Sequence, residues 1–120
     1  MRLLAIAAAG ALGAVTRYGL GVAVGVRSFP WTTLSINVAG SFLLAFLLAG
    51  PLAQRWSSTV TLAVTVGFLG AFTTFSTFGY ETIVLTSDDR ISAAAAYVAA
   101  SMVLGLGAAA LGYWLGRLSN

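Results

Sequence analysis

The sequence predicts an all-α integral membrane protein in which four transmembrane helices form one domain, and three observations support this fold class. Of the 120 residues, 59% are hydrophobic and only 8% are charged, whereas soluble proteins average about 25% charged residues. The apolar residues fall into four long stretches, which short polar or proline-containing segments separate. Each stretch can cross a bilayer as a helix, which takes about 20 mainly apolar residues.

The four predicted spans cover most of the chain. They lie at about 3–25, 32–53, 59–85 and 91–116, with limits set by the length that a membrane helix requires. Trp31, Trp56 and Trp114 fall near the ends of spans, where interfacial aromatic residues are common. No linker divides the sequence, so residues 1–120 are predicted to form a single four-helix membrane domain.

The N-terminal stretch also resembles a secretory signal, because Arg2 precedes an apolar run with small residues. The apolar character continues from Ala14 to Val26 with few interruptions, and removal of this stretch would leave three spans. We therefore expect the first span to be retained.

The composition excludes several kinds of chemistry. The chain contains no histidine and no cysteine, which removes histidine general bases, thiol nucleophiles and the usual zinc ligands. All six basic residues are arginines that occur singly along the chain, so the sequence has no basic patch typical of nucleic-acid binding. We expect neither an enzyme nor a nucleic-acid-binding protein.

The arginines predict an unusual membrane topology. Both termini of a four-span protein lie on one side of the membrane. The arginines then divide as Arg2, Arg55 and Arg117 against Arg27 and Arg90, with Arg17 added to the second group if it extends to the first loop. Orientation follows an excess of cytoplasmic arginine and lysine, and this excess is close to zero. An antiparallel dual-topology homodimer is therefore favoured over a fixed orientation that one charge would set.

Two pairs of glycines predict close helix contacts. Gly21 lies four residues before Gly25, and Gly112 lies four residues before Gly116. Small residues at this spacing let membrane helices approach closely. Because the pattern is common in membrane helices, we interpret it as packing rather than as function.

Residues 67–81, in the third stretch, differ from an ordinary membrane helix. They combine three glycines and four phenylalanines with several hydroxyl side chains. Glycine lowers the cost of leaving helical geometry, and a backbone break inside a membrane must be buried in protein or in a wet cavity. Transporters place ion sites at such breaks. We therefore expect the third helix to be broken near its middle and to contain the functional centre.

The first two spans also contain polar residues at membrane depth. Thr33, Asn37 and Ser41 recur every four residues and so share one helix face. Asn37 either joins two helices through a hydrogen bond or lines a pathway. Arg17 either extends to the lipid headgroups or attracts an anion into a wet vestibule.

The last two spans contribute three further candidates. Glu81 is the one acidic residue that fits at membrane depth, where it is either a hydrogen-bond partner at an interface or a proton relay. Tyr97 and Ser101 lie four residues apart on one helix face. They either continue a polar track or serve as an interfacial tyrosine and a packing serine.

The candidate residues are mainly hydrogen-bond donors, which favours an anion as the ligand. Hydroxyl groups, an amide and an arginine dominate, whereas the acidic rings typical of cation channels are missing from the sequence. Phe75 and Phe78 lie three residues apart, and their ring edges carry the positive end of the aromatic quadrupole. A small hard anion suits such a set. Two broken segments that met on a dimer axis would also direct freed carbonyl groups at a cation.

These residues resemble the CrcB/Fluc family of fluoride channels. The similarity lies in residues 13–18, 29–42 and 67–78, and the TTFSTF sequence at 73–78 is its most specific part. The resemblance implies a dual-topology homodimer with a broken third helix, two fluoride pathways and a structural Na+ at the dimer centre. The chain differs from the family at Gly105, which is often Ser or Thr, and at Ala71, which is often a second glycine after Gly70.

The resemblance also implies roles for particular residues. The backbone carbonyl groups of Gly70 and Thr73 from both subunits would bind the Na+. Asn37 would donate to fluoride, the rings of Phe75 and Phe78 would contact it, and Arg17 would lie in the vestibule. The complete set expected along the anion pathway is Asn37, Phe75, Phe78, Thr33, Ser76, Thr77, Tyr97, Ser101, Arg17 and Glu81.

We therefore expect a fluoride-selective channel in the cytoplasmic membrane that allows passive, electrogenic efflux of fluoride. A membrane potential of about 100 mV, negative inside, favours exit of one anion by about 2.3 kcal/mol. The expected partners are fluoride, a second copy of the chain and the lipid bilayer. Two alternatives remain open at this point: a small dual-topology proton-coupled antiporter in which Glu81 carries the proton, and an assembly subunit that transports nothing.

Overall fold

The computed structural model describes residues 1–119, and these residues form helices and loops without a strand. Four helical stretches are long and apolar enough to cross a membrane, namely Arg2–Val24, Trp31–Ala49, Ser58–Ser87 and Ile91–Leu118. The all-α fold class with four candidate spans is thereby confirmed.

The third span consists of several helical pieces, whereas the other three are continuous. In chain order the elements are α1 (Arg2–Val24), α2 (Trp31–Ala49), α3 (Pro51–Arg55), α4 (Ser58–Leu62), a π-helical segment (Ala63–Leu69), α5 (Gly70–Phe72), α6 (Phe75–Ser87) and α7 (Ile91–Leu118). The third span therefore runs from α4 to α6, and α3 is a short helix in the loop before it.

Helix α2 ends at Ala49 rather than near residue 53, where the sequence placed its limit. Gly50 is extended, with φ −91° and ψ 175°, and Pro51 begins the separate helix α3. Proline disfavours helical geometry in the residue before it and suits the first position of a helix. Length and hydrophobicity alone did not reveal this boundary, although the Gly50–Pro51 pair marks it.

The third span loses helical geometry at two consecutive residues. Thr73 has φ −80° and ψ 156°, and Thr74 has φ −152° and ψ 119°, so both are extended. Helix α6 then restarts with Thr74 as its N-cap, where the Thr74 hydroxyl accepts a hydrogen bond of 3.2 Å from the Thr77 amide. A threonine cap of this kind satisfies an amide that the start of a helix would otherwise leave unpaired.

Glycines allow α7 to cross α2 with the backbones in contact. A Cβ atom at Gly112 would overlap the carbonyl oxygen of Phe42, and one at Gly116 would lie 2.6 Å from the carbonyl oxygen of Phe46. The predicted packing role of this glycine pair is confirmed. A Cβ atom added at Gly21 or Gly25 would meet no atom of another helix within 4 Å among the described residues, so that pair makes no close helix contact within the protomer.

Glycines also allow close backbone contact between α1 and the π-helical segment. A Cβ atom at Gly13 would overlap the carbonyl oxygen of Phe68, and one at Gly67 would lie 2.7 Å from the carbonyl oxygen of Ile6. These contacts fix the first half of the third span against α1. The second half, α6, packs instead against α2 and α7 around a buried cluster of Leu34, Phe78, Leu85, Ala94 and Tyr97.

Candidate functional site

Asn37 binds the main chain of the third span at the interruption. Its side-chain amide donates to the carbonyl oxygen of Thr74 at 2.9 Å, and its side-chain oxygen accepts from the Thr74 amide at 2.8 Å. As the N-cap of α6, Thr74 offers its carbonyl oxygen to the first turn of that helix, but its amide has lost a helical acceptor and would otherwise be unpaired at membrane depth. Asn37 supplies that acceptor, and the second hydrogen of its amide is left for another acceptor.

Glu81 connects three helices through its carboxylate. One oxygen accepts a hydrogen bond of 2.9 Å from the Thr33 hydroxyl of α2. The other accepts a hydrogen bond of 2.6 Å from the Tyr97 hydroxyl of α7. Tyr97 is fully buried, at 0% exposed. Sequence patterns identified all three residues separately, and the structure brings them together within one protomer.

The two phenylalanines at the start of α6 have different environments. Their ring centroids lie 5.5 Å apart. Phe75 is 78% exposed in the protomer, whereas Phe78 is 8% exposed. The ring of Phe78 also meets Tyr97 edge-on, at a centroid distance of 5.1 Å. Phe78 is therefore fixed by the core, while Phe75 projects from the surface of the single chain.

A groove of about 330 Å³ runs past these rings between α2, the interruption and α7. We call it the Phe75 groove, and its lining includes Asn37, Ser41, Gly70, Thr73, Phe75, Phe78, Ser101 and Gly105. The Ser101 hydroxyl is buried and has no hydrogen-bond partner among the described residues. Since buried hydroxyl groups are normally paired, this oxygen lacks the partner that such a group usually has.

A second groove of about 820 Å³ lies on the other side of Thr74, and we call it the Arg17 groove. Its lining includes Arg17, Thr33, Thr74, Thr77 and Glu81. Arg17 is half-buried, and its Nε donates to the carbonyl oxygen of Ala71 at 3.2 Å. Arg17 therefore contacts a residue two positions before the interruption and does not simply extend to the lipid headgroups.

The interruption leaves two carbonyl groups without donors. In a continuous helix the Thr74 amide would bond to the carbonyl of Gly70, but here it donates to Asn37. Among the described residues, no hydrogen bond reaches the carbonyl oxygen of either Gly70 or Thr73. Backbone carbonyl oxygens are suitable ligands for a hard cation. No cluster of three or more acidic, His or Cys side chains that could hold a metal occurs in the described part of the chain.

The first and third loops lie on the same side of the bundle. Arg90 donates to the carbonyl oxygen of Ser28, which joins the two loops. Arg27 caps the end of α1 through the carbonyl oxygen of Val24, at 3.0 Å. These contacts place Arg27 and Arg90 together, as the arginine division between the two membrane sides requires.

Comparison with known proteins identifies the family. A family model described as "CrcB-like protein, Camphor Resistance (CrcB)" matches residues 4–113. The chain belongs to the CrcB family. The resemblance seen in the sequence is thereby confirmed, and the four candidate spans agree with a multi-pass membrane protein.

The chain is also similar to three curated relatives, each called a fluoride-specific ion channel FluC. The relative from Thermus thermophilus is 44% identical over 118 residues, which cover 96% of this chain and 94% of the relative. The relative from Geobacter sulfurreducens is 46% identical over 121 residues, which cover 98% and 94%. The relative from Rhodospirillum centenum is 46% identical over 110 residues, which cover 88% and 86%.

In this CrcB protein, most of the residues selected from sequence line one of the two grooves. Ser76 and Tyr97 line neither groove. Ser76 is exposed on the first turn of α6, and its hydroxyl lies 3.2 Å from that of Thr74. Tyr97 reaches the Arg17 groove only through its bond to Glu81. Sequence reasoning did not anticipate that Asn37 pairs with the Thr74 backbone, although an amide opposite a break is suited to that role.

Proposed function

We propose that this CrcB protein is a fluoride-selective channel through which fluoride leaves the cytoplasm passively and electrogenically. The observation that carries the proposal is its 44–46% identity, over nearly the whole chain, to relatives called fluoride-specific ion channels. The membrane is the cytoplasmic one, because its negative-inside potential drives an anion outward by about 2.3 kcal/mol per 100 mV without a coupled energy source.

The Phe75 groove supplies the chemistry that fluoride requires. Fluoride loses its hydration shell only where close donors replace the lost water. Asn37, Ser101, Phe75 and Phe78 line this groove, and the edges of the two rings carry the positive end of the aromatic quadrupole. We place the anion path along these residues. Thr33, Thr77, Arg17 and Glu81 continue it into the Arg17 groove, Tyr97 acts through Glu81, and Ser76 acts through Thr74.

A second copy of the chain completes the path. Phe75 is 78% exposed in one protomer, and Gly70 is also exposed beside it. An interrupted backbone is unfavourable against lipid when its polar groups have no partners. We propose that an antiparallel partner covers this face, since the balanced arginines permit insertion in both orientations. Two copies then enclose two equivalent paths.

The same face accommodates a structural Na+ on the dimer axis. The Gly70 and Thr73 carbonyl oxygens of one chain accept no other bond among the described residues. Two such pairs, one from each copy, supply four oxygen ligands to a hard cation. The Gly70 and Thr73 carbonyl groups would hold the ion, which would supply a positive charge to balance their negative ends.

Fluoride efflux from liposomes tests the proposal. Liposomes that contain the purified protein and are loaded with potassium fluoride should release fluoride when valinomycin is added. Valinomycin lets potassium leave as well, and an electrogenic path needs such a charge-balancing ion. Chloride-loaded liposomes of the same composition are the control and should release little. Equal chloride release, or fluoride release that occurs only with a proton gradient, would overturn the proposal. The second result would point to an antiporter that uses Glu81, and no flux would point to an assembly subunit.

Orientation can be measured separately, because the chain contains no cysteine. A Ser119→Cys variant carries one label site at the C-terminal end of α7. In intact cells, a membrane-impermeant maleimide should label about half of the molecules if the chain inserts both ways. Labelling of all or none would instead establish one fixed orientation.

A further inference from the structure

Helix α2 contacts both extended residues of the third span. Asn37 pairs with the backbone of Thr74, and Gly40 lies against the side chain of Thr73. The two α2 residues are three positions apart and therefore share a helix face. On this face of α2, Asn37 holds Thr74 through hydrogen bonds. Gly40 makes room for the side chain of Thr73, because it has no side chain of its own.

The conformation of the Thr73 side chain explains why the second position is a glycine. Its hydroxyl donates to the carbonyl oxygen of Leu69 at 2.9 Å, which fixes the rotamer and directs the methyl group toward α2. A Cβ atom at Gly40 would overlap that methyl carbon. The next neighbours of such a Cβ atom, at 3.6 Å and 3.7 Å, are in ordinary van der Waals contact. A single methyl group is therefore the obstacle to a side chain at Gly40.

We propose that Gly40 is a positioning residue for the ion sites: its missing side chain forms a notch for the Thr73 methyl group and thereby sets the direction of the Thr73 carbonyl group. The inference rests on the proposed Na+ site and assigns a role that the proposed function leaves open. Thr74 is held by Asn37, and the notch receives the Thr73 methyl group, so both extended residues are fixed against α2. A side chain at Gly40 displaces Thr73 while the Asn37 contact remains.

The Gly40→Ala variant separates this role from ordinary helix packing. Alanine forms helices better than glycine, so helix propensity alone predicts a more stable protein. Displacement of Thr73 instead predicts weaker Na+ binding. The Na+ concentration at half of the stabilising effect, called the Na+ midpoint, should rise about tenfold or more, because overpacking of a tight contact commonly costs that much. Thr73→Ser removes the obstructing methyl group and keeps the hydroxyl that bonds to Leu69. The double variant Gly40→Ala/Thr73→Ser should therefore bind Na+ as Thr73→Ser does alone.

The experiment measures Na+-dependent stabilisation of the full chain in detergent. The thermal midpoint of each variant is followed against NaCl, with N-methyl-D-glucamine chloride as the ionic-strength control, because a ligand that binds the folded state raises its stability by mass action. Fluoride efflux is measured on the same preparations. Gly107→Ala is the matched control, since nothing lies within 4 Å of a Cβ atom at Gly107 among the described residues.

The proposal expects a higher Na+ midpoint and slower fluoride efflux for Gly40→Ala, neither change for Gly107→Ala, and no additional loss when Gly40→Ala is made in the Thr73→Ser background. Wild-type Na+ midpoint and efflux in Gly40→Ala overturn it. If Gly40→Ala does not fold, a double variant that also fails to fold overturns it. A wild-type protein without Na+-dependent stabilisation overturns both the Na+ site and this role of Gly40, whereas the fluoride proposal is decided independently by the liposome assay.

Discussion

Replacement of Asn37 by aspartate is expected to stop fluoride conduction for two reasons that the structure separates. The Asn37 amide donates to the carbonyl oxygen of Thr74 over 2.9 Å, and aspartate puts an oxygen there that accepts but cannot donate when ionised. Loss of that hydrogen bond costs about 0.5–1.5 kcal/mol, because the Thr74 carbonyl also serves the first turn of α6. The second hydrogen bond, from the Thr74 amide over 2.8 Å, is preserved.

The larger effect is electrostatic. A unit charge about 4 Å from an anion repels it by about 4 kcal/mol at an effective dielectric constant near 20. That energy lowers occupancy of the path by about three orders of magnitude. The total expected for Asn37→Asp is therefore loss of detectable flux with only moderate loss of protein stability.

Fluoride release from liposomes measures the electrostatic effect on flux. Thermal unfolding of the same protein measures the loss of stability. Asn37→Ala is the matched control, because it removes both bonds to Thr74 and adds no charge. It should retain more flux per folded molecule than Asn37→Asp. Undiminished fluoride release by Asn37→Asp would refute the placement of Asn37 on the anion path, and equal flux from the two variants would refute the electrostatic argument.

Three further predictions concern the aromatic residues and the helix contacts. Phe75→Ile and Phe78→Ile should each abolish fluoride release and leave the dimer intact on size exclusion, whereas wild-type release from both would contradict the role of the ring edges. Tyr97→Phe keeps a fully buried ring but removes its 2.6 Å bond to the Glu81 carboxylate, which should cost about 1.5–3 kcal/mol in thermal unfolding; an unchanged midpoint would argue against that bond. Gly112→Ala forces α7 away from α2 and should cost about 1–3 kcal/mol, and a more stable protein would show that the crossing tolerates a side chain.

Hydrophobic run length predicts the four spans because a membrane helix needs a nearly fixed number of apolar residues. The end of α2 required another signal, the extended Gly50 before Pro51, which lies inside an apolar run. Helix packing was predicted for Gly112 and Gly116, where backbones do meet, and also for Gly21 and Gly25, where none approach. Spacing alone does not distinguish these pairs, because it does not say which helix faces a neighbour.

The candidate site was predictable as a set of residues but not as a set of contacts. Sequence patterns identify each polar residue separately, because polar side chains in apolar runs are costly unless paired. This holds for Thr33, Glu81 and Tyr97. Their mutual hydrogen bonds depend on where α2, α6 and α7 cross, and no local pattern encodes those crossings. Asn37 illustrates the same limit, since the sequence left open a hydrogen bond between helices or a place on a pathway, and only the structure shows that its partner is the backbone of Thr74.

The bond between Asn37 and Thr74 has a consequence for the order in which the protein matures. The second span is synthesised before the third, but the extended backbone at Thr74 is satisfied only when the two lie side by side. In lipid alone, a newly inserted third span pairs its own backbone groups best as an uninterrupted helix. We therefore expect the interruption to form on docking against α2, so that a newly inserted third span contains no finished ion site.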